Sequence, residues 1–143
     1  MSSSLYTKGL LKVLSGDISL LSDDLKFMLI DGDLYTQQLD IDEYLSDIPL
    51  LARIESSDII AGKSMDIDTE SIPYPQVYFT CSITNVTGPI GATVEKIALY
   101  KNGASPETSP LIALFNGETI SIILDGGVAG INVGLLGLLR WTR

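Results

Sequence analysis

Two neighbouring segments decide the fold class: Thr93-Val94-Glu95-Lys96-Ile97-Ala98-Leu99-Tyr100 and Leu111-Ile112-Ala113-Leu114-Phe115. Both are short and largely apolar, and the turn-forming pair Asn102-Gly103 lies between them. Short apolar runs separated by such turns are typical of strands in an antiparallel sheet. The same texture continues on both sides of these segments. Residues 51–143 are therefore predicted to form a strand-rich body.

Several other segments fit the same pattern. Leu25–Ile30 is a compact apolar run between aspartates, and Ser64–Glu70 alternates apolar and polar residues as a half-buried strand does. The further predicted strands are Ala52–Ile60, Val77–Ile83 and Thr119–Leu124. Val86–Gly91 is predicted to be a loop. The closing segment, Ile131–Thr142, fits a last strand or a helix, and we favour the strand.

The front of the sequence carries a helical pattern instead. Tyr6, Leu10, Val13 and Leu14 share one face at helical spacing, which predicts a short amphipathic helix over residues 5–15. Ser2–Ser4 would cap its start, and Gly16 could take the left-handed position after its end. A second short helix is predicted at Asp40–Ser46. The expected fold is one domain of class mainly β or α+β, a small β-sandwich with a short N-terminal helix covering an edge or end.

Composition excludes several functions. Lys and Arg number 9 against 18 Asp and Glu, a net charge of −9, which argues against binding to nucleic acid or to an anionic membrane surface. The protein has no histidine, so the common Ser-His-Asp and Cys-His catalytic sites and His-ligated metals are excluded. The uninterrupted apolar run Val133–Leu139 is far shorter than the roughly 20 residues of a spanning helix. We expect no enzyme, no cofactor and no membrane partner.

Two acidic groupings and one cysteine are candidate sites. Asp66, Asp68 and Glu70 would share one strand face and could attract a cation, but they lack the ligand pattern of a calcium loop and fit a solvated face better. The aspartates around the Leu25–Ile30 strand could form an acid–base pair, but turns and caps explain them well. They are Asp23, Asp24, Asp31 and Asp33. Cys81, the only cysteine, is predicted to be a small core residue because no histidine is available to activate it.

The apolar excess suggests contact with other protein molecules. Hydrophobic residues make up 45% and charged residues only 19%, with a mean hydropathy of +0.31. A monomer of this size rarely exposes large apolar patches, so some of this surface is expected to be buried by partner molecules. Trp141 could anchor such an interface or close the core of its own domain. The predicted interface residues lie at the two ends of the sequence: Leu5, Tyr6, Leu135, Leu136, Leu138 and Trp141.

Several segments, in order, resemble a widespread group of small virion structural proteins of tailed bacteriophages. They touch about two thirds of the sequence, and none is a catalytic motif. The resembling segments are Leu5–Gly9 with Leu14–Ile18, Leu25–Asp31, Tyr44–Pro49 with Ala52–Ile54, Val94–Lys101 and Ser109–Ala113. Asp58–Tyr74 fits the group poorly. The group's polar strand with a Trp-Asp pair is replaced here by Asp125-Gly126-Gly127 and an apolar tail.

The resemblance implies a structural role in a virion. It best fits a capsid decoration, or cement, protein on the outer surface of the phage head, made in the host cytoplasm and bound to the major capsid protein, often as a homotrimer. An acidic outer protein is compatible with this role because it need not touch packaged DNA. A tail or baseplate component is the alternative within the same class. A small host-surface or carbohydrate-binding β module is the alternative from another class.

Overall fold

The computed structural model describes residues 2–69, 76–116, 122–123, 126–131 and 139–142. Its largest sheet has five antiparallel strands: β1 (Ser2–Leu5), β2 (Leu25–Ile30), β3 (Arg53–Ser56), β8 (Lys96–Lys101) and β9 (Leu111–Asn116). Their order across the sheet is β1-β9-β8-β2-β3. Strands that are distant in sequence are thus neighbours in space.

Three smaller sheets and one helix complete the described fold. A three-stranded sheet contains β4 (Ser64–Asp68), β5 (Gln76–Thr80) and β12 (Leu139–Thr142), with β5 in the middle. Two pairs of strands stand beside it: β6 (Thr84–Thr87) with β11 (Val128–Ile131), and β7 (Thr93–Val94) with β10 (Ile122–Ile123). The helix, α1, spans Thr7–Ser15. The predicted class, a mainly-β or α+β domain with a short N-terminal helix, is confirmed.

Both faces of the five-stranded sheet are buried. On one face, Phe27 and Phe115 pack edge to face with ring centroids 6.5 Å apart, and Phe79 and Val86 from the smaller sheets join the same core cluster. The other face is covered largely by the segment between β2 and β3, including Tyr35. A strand buried on both sides needs apolar residues at successive positions. This explains why β2 and β8 appear in the sequence as nearly continuous apolar runs.

The start of the helix differs from the prediction. Ser2–Leu5 forms strand β1, which pairs with β9 at the edge of the large sheet, and α1 begins only at Thr7. The predicted helix over residues 5–15 is therefore too long at its front, and Ser2–Ser4 do not cap it. The backbone amides of Tyr6 and Thr7 donate to the carbonyls of Ile112 and Leu39, at 3.0 and 2.9 Å. Backbone carbonyls that are distant in sequence therefore accept hydrogen bonds from amides at the start of the helix, in place of a capping side chain.

The end of the helix follows the prediction. Gly16 has φ of 88°, in the left-handed region that favours glycine, and its amide donates to the Val13 carbonyl. This arrangement ends the helix by satisfying one of its last carbonyls.

The predicted helix at Asp40–Ser46 is wrong. The segment contains only a 3₁₀ turn at Leu45–Asp47, and Tyr44 forms an isolated bridge with Pro110. The Leu45 amide donates to the Ser109 carbonyl, while the Leu111 amide donates to Glu43. These bonds to the start of β9 replace those of a helix, so tertiary contacts override the local pattern.

Three further boundaries differ. Val86 lies in strand β6 rather than in the predicted loop, because it pairs with β11. β8 and β9 are connected by residues 102–110, with a 3₁₀ turn at Pro106–Thr108, rather than by the Asn102-Gly103 pair alone. The strand predicted at Ala52–Ile60 is shorter, Arg53–Ser56. The strand predicted before residue 51, at Leu25–Ile30, is confirmed as β2 of the main sheet.

Gly9 brings α1 close to strand β9. A Cβ atom at this position would stand 2.1 Å from the Leu111 carbonyl oxygen and 3.0 Å from the Ile112 Cα. Both are backbone atoms, which cannot swing aside as a flexible side chain can. Glycine is unfavourable within a helix on propensity alone. Here it is the residue that lets the helix lie against the sheet.

Candidate functional site

The predicted interface residues fall into three groups in the structure. Tyr6 is 0% exposed, so its side chain is committed to its own core and the prediction that it lies at an interface is corrected. Leu5 is half-buried and packs against the core. Trp141 lies in β12, where its Cα partner is Val77. Leu135, Leu136 and Leu138 lie outside the described residues.

The exposed apolar surface lies elsewhere on the N-terminal segment. Leu14 is 77% exposed, although its spacing predicts that it shares one helix face with Tyr6, which is buried. It lines a shallow apolar groove of about 260 Å³ with Leu10, Val13, Leu20, Met65 and Val77. We call these six residues the α1–β4–β5 face. Met65 and Val77 are 41% and 40% exposed, and Ile67, directly opposite Val77, is 61% exposed.

More apolar side chains are exposed around the rest of the domain. Leu50 and Leu51 stand on the 3₁₀ turn before β3, with Leu51 83% exposed. The others that are exposed are Leu11, Leu21, Leu34, Ile41, Ile59, Ile83, Ile90 and Val128. Single exposed apolar residues are normal, but apolar side chains grouped in a groove mark contact surfaces. The helical spacing predicts an apolar face on α1. Which residues of that face stay exposed depends on where the core of the domain lies.

The aspartates that flank β2 serve local structure. An Asp23 carboxylate oxygen accepts the Ser19 amide at 2.8 Å and lies 3.2 Å from Lys101 Nζ. The Ser19 hydrogen bond, assisted by Lys101, lowers the pKa of Asp23. Asp31 accepts the Asp33 amide and starts a 3₁₀ turn. These positions agree with the interpretation of the aspartates as turn and cap residues.

Two other acidic groupings share features with metal sites. Asp31, Asp33 and Glu95 bring one carboxylate oxygen each within 4.8 Å of one another. Clusters of exposed acids occur commonly without an ion, and Asp31 is already used as a cap. Asp66 is exposed and accepts the amide of Ile67, Asp68 lies in the same strand, and Glu70 falls outside the described residues. Sharing a strand does not by itself make these residues a site.

Cys81 is half-buried and packs against the core, as predicted for a small core residue. Burial raises the pKa of its thiol, and the hydrogen bond with Thr84 offsets this only in part. The thiolate, which is the nucleophilic form, is therefore disfavoured. Nothing in this environment, as far as the described residues form it, activates the sulfur.

A buried row of hydrogen bonds joins the front of α1 to the segment after β2. The hydroxyls of Tyr6 and Tyr35 are 2.8 Å apart, and Tyr35 donates to Asp42 Oδ2 at 2.7 Å. The same oxygen accepts the Gln38 amide at 3.0 Å. Burial raises the pKa of both tyrosines far above the ordinary range, so both hydroxyls stay protonated. The row therefore holds structure rather than moving protons. Its members are too far apart in sequence for any motif to reveal them.

The buried tyrosines predict a loss of stability in alkali. Unfolded tyrosines ionise near pH 10, but burial raises the pKa of Tyr6, Tyr35 and Tyr100 in the fold. Above that pH the unfolded protein binds fewer protons than the folded one, so unfolding becomes easier as pH rises. The stability is complete below pH 10 and should then fall by about 1.4 kcal/mol per pH unit for Tyr6 and for Tyr35, whose pKa values are raised the most.

Urea unfolding at pH 8 to 11 measures this slope. Tyr35→Phe removes one of the ionising groups with a strongly raised pKa and should make the decline in stability clearly shallower. A free energy of unfolding that stays level from pH 9 to 11 would contradict the prediction.

Comparison with protein-family models gave no match, and comparison with curated proteins gave no significant match. Within the described ranges, no helix combines the length and apolar character needed to cross a bilayer.

Proposed function

We propose that this protein is a capsid decoration, or cement, protein of a tailed bacteriophage. It would bind the outside of the head as a homotrimer and bridge neighbouring subunits of the major capsid protein. The observation that carries the proposal is the apolar surface of the described residues, above all the α1–β4–β5 face, on a protein of net charge −9. Such a surface suits a protein that works by contact with other proteins.

The positions of the resembling segments support the proposal. Three of the segments contain all of β2, all of β8 and the first half of β9, which lie in the middle of the main sheet: Leu25–Asp31, Val94–Lys101 and Ser109–Ala113. The segment at Tyr44 docks on the start of β9, and Leu5–Gly9 leads from β1 into α1. The poorly fitting stretch, Asp58–Tyr74, includes β4 of a smaller sheet. The resemblance is thus concentrated in one packed unit rather than scattered.

The mechanism would be mechanical. A protein that binds across a boundary between subunits stabilises the assembled shell by the free energy of its binding, and the gain grows with the occupancy of the sites. Separating two capsid subunits would then also require breaking the contacts of the bridging protein. No reacting group is needed, in keeping with the lack of histidine. The acidic surface would face solvent, away from packaged DNA.

Cryo-electron microscopy of purified source particles tests the proposal directly. Density for this protein at threefold or quasi-threefold positions of the head lattice is the expected result. Density on the tail or baseplate would replace the proposal with the alternative role in the same particle. A particle that lacks the protein would contradict both roles.

Leu14→Glu combined with Met65→Glu should weaken binding to undecorated heads by at least about tenfold. Each change places a charge where an apolar contact would be desolvated, and tenfold corresponds to about 1.4 kcal/mol. Occupancy is measured by co-sedimentation with heads at increasing protein concentration.

Leu50→Glu combined with Leu51→Glu is the matched control for this pair of changes. It adds the same two charges at exposed apolar residues away from the α1–β4–β5 face. Occupancy that drops for this control but not for the Leu14 and Met65 variant would contradict this choice of face.

A further inference from the structure

A second, quite different pocket lies on the opposite side of the main sheet from Phe27. It is an open pocket of about 250 Å³ between strands β2, β3 and β8 and the loop that joins β8 to β9. Its floor includes the buried side chains of Met28, Leu45 and Tyr100. Lys26 and Arg53 line its wall on the strands, and Ser105 lines it on the loop.

The two cations in this pocket have no ion-pair partner among the described residues. Lys26 and Arg53 are both half-buried, and no carboxylate of the described part lines the pocket with them. The ion pairs among the described residues involve three other lysines: Lys8, Lys12 and Lys101. Acidic side chains outnumber basic ones by 18 to 9 in this protein. Two cations that line one pocket without an acid are therefore a specific feature and not a result of composition.

Arg53 also carries a hydrogen-bond donor that the fold leaves unpaired. Its Nε atom is buried and has no hydrogen-bond partner among the described residues. A buried donor without a partner costs about 1–3 kcal/mol, and native proteins keep few of them. Because protein atoms enclose Nε, an anion in the pocket would bind the terminal nitrogens of the guanidinium, which lines the same pocket as Lys26.

The loop wall is held in place by its own hydrogen bonds. Ser109 Oγ donates to the Ser105 carbonyl at 2.8 Å and accepts the Gly103 amide at 3.0 Å. A Cβ on Gly103 would stand 2.2 Å from the Thr108 carbonyl oxygen, so the loop is also closely packed. The pocket is therefore formed in advance, which reduces the entropy lost on binding.

Size and lining restrict the ligand. Pockets for drug-sized molecules measure about 300–1,000 Å³, so this cavity suits one side chain or a molecule of similar size. Arginine binds a carboxylate through two parallel hydrogen bonds. The apolar floor favours an acid on a short hydrocarbon stem over a fully hydrated anion such as phosphate.

We propose that this pocket binds a carboxylate carried on a short apolar stem, held by Arg53 and Lys26 above the Met28, Leu45 and Tyr100 floor. In a protein partner, the carboxylate would be a glutamate side chain or the carboxyl terminus of the polypeptide. The inference goes beyond the proposed function, because it concerns the isolated protein and holds whether or not the protein decorates a capsid.

Titration of the ¹⁵N-labelled protein with small acids, followed by NMR, tests the site. N-acetylglutamate α-amide offers only a side-chain carboxylate, and N-acetylleucine offers only a terminal one. Saturable chemical-shift changes of the Gly103, Ala104 and Ser105 amides with either compound support the proposal. The compound that binds more tightly shows whether the natural carboxylate is a glutamate side chain or a carboxyl terminus. No saturable shift with either would overturn it. So would equal binding of the neutral N-acetylglutamine α-amide, or tighter binding of inorganic phosphate.

Arg53→Met separates binding from folding. It should weaken carboxylate binding at least about tenfold, or 1.4 kcal/mol, while the thermal midpoint stays level or rises because a buried donor without a partner is removed. Lys8→Met changes the net charge equally at a residue outside the pocket and should leave binding unchanged. If Arg53→Met does not fold, Lys26→Met serves instead. Wild-type affinity in the folded variant would overturn the proposal.

Discussion

Replacing Gly9 with alanine should lower the free energy of unfolding by about 3 kcal/mol, the upper end of the usual cost of overpacking. On an exposed helix the same change would stabilise by about 1 kcal/mol. Here the added methyl group would stand 2.1 Å from the Leu111 carbonyl oxygen. Because that oxygen belongs to the backbone of a strand inside the main sheet, either the helix must move away or the strand must bend. Urea unfolding of both proteins measures the difference.

Gly16→Ala is the control for this prediction. Gly16 has φ of 88° but has nothing within 4 Å of a new Cβ, so only the backbone conformation is strained. We expect a loss of about 1 kcal/mol there. Equal losses at the two positions would mean that close packing of α1 on β9 is not what Gly9 provides.

Replacing Tyr35 with phenylalanine should cost roughly 3 kcal/mol. The change deletes one oxygen, but that oxygen lies between two buried groups. Asp42 would lose a donor at 2.7 Å, and the Tyr6 hydroxyl would lose its partner at 2.8 Å. A hydrogen bond to a charged group contributes about 1.5–3 kcal/mol, and a buried hydroxyl left without a partner adds a further penalty. Urea unfolding at pH 7 measures the loss.

Tyr6→Phe deletes the same atom from the end of the row of hydrogen bonds. Tyr35 still donates to Asp42, so the expected loss is only about 1 kcal/mol. The ratio between the two variants is the critical quantity, because both remove one hydroxyl from a buried tyrosine. If Tyr6→Phe costs as much as Tyr35→Phe, the central position of Tyr35 is not the source of the stability.

Strands that are buried in the main sheet could be predicted from the sequence, because burial requires a run of apolar residues. β2 and β9 follow from apolar runs whose bounds match the sequence pattern within a residue. β4 follows from the alternation of apolar and polar residues, although its apolar residues Met65 and Ile67 stay exposed in the structure. The left-handed Gly16 follows from helix-ending chemistry. Each of these signals is contained within a few consecutive residues.

The errors have a common cause in contacts between distant residues. Ser2–Ser4 could cap a helix by local chemistry, but pairing with β9 makes them a strand. The Asp40–Ser46 segment has a helical pattern, but its amides and carbonyls bond to the backbone around Ser109 and Leu111. No local pattern records such partners. Local propensity is worth a few tenths of a kcal/mol per residue, so these contacts can override it.

The sites were harder to predict than the fold. The apolar ends of the sequence predict an interface that includes Tyr6. In the structure, the Tyr6 side chain is buried in the core instead. One local signal points to the carboxylate pocket: Lys26 is a charge inside an otherwise apolar strand. Such a residue needs either an exposed face or a partner. Arg53 could not have been matched to it, because their strands are adjacent only in the folded sheet.

The pairing of β1 with β9 has a consequence for how the protein is made. Ser2 lies opposite Asn116, so β1 leaves the ribosome more than about 100 residues before the strand that it pairs with. At usual rates of translation this delay is on the order of ten seconds. During that time the apolar strands of the main sheet emerge without their final neighbours. A polypeptide interrupted before β9 would lack the strand that joins β1 to β8, so the main sheet could not be completed.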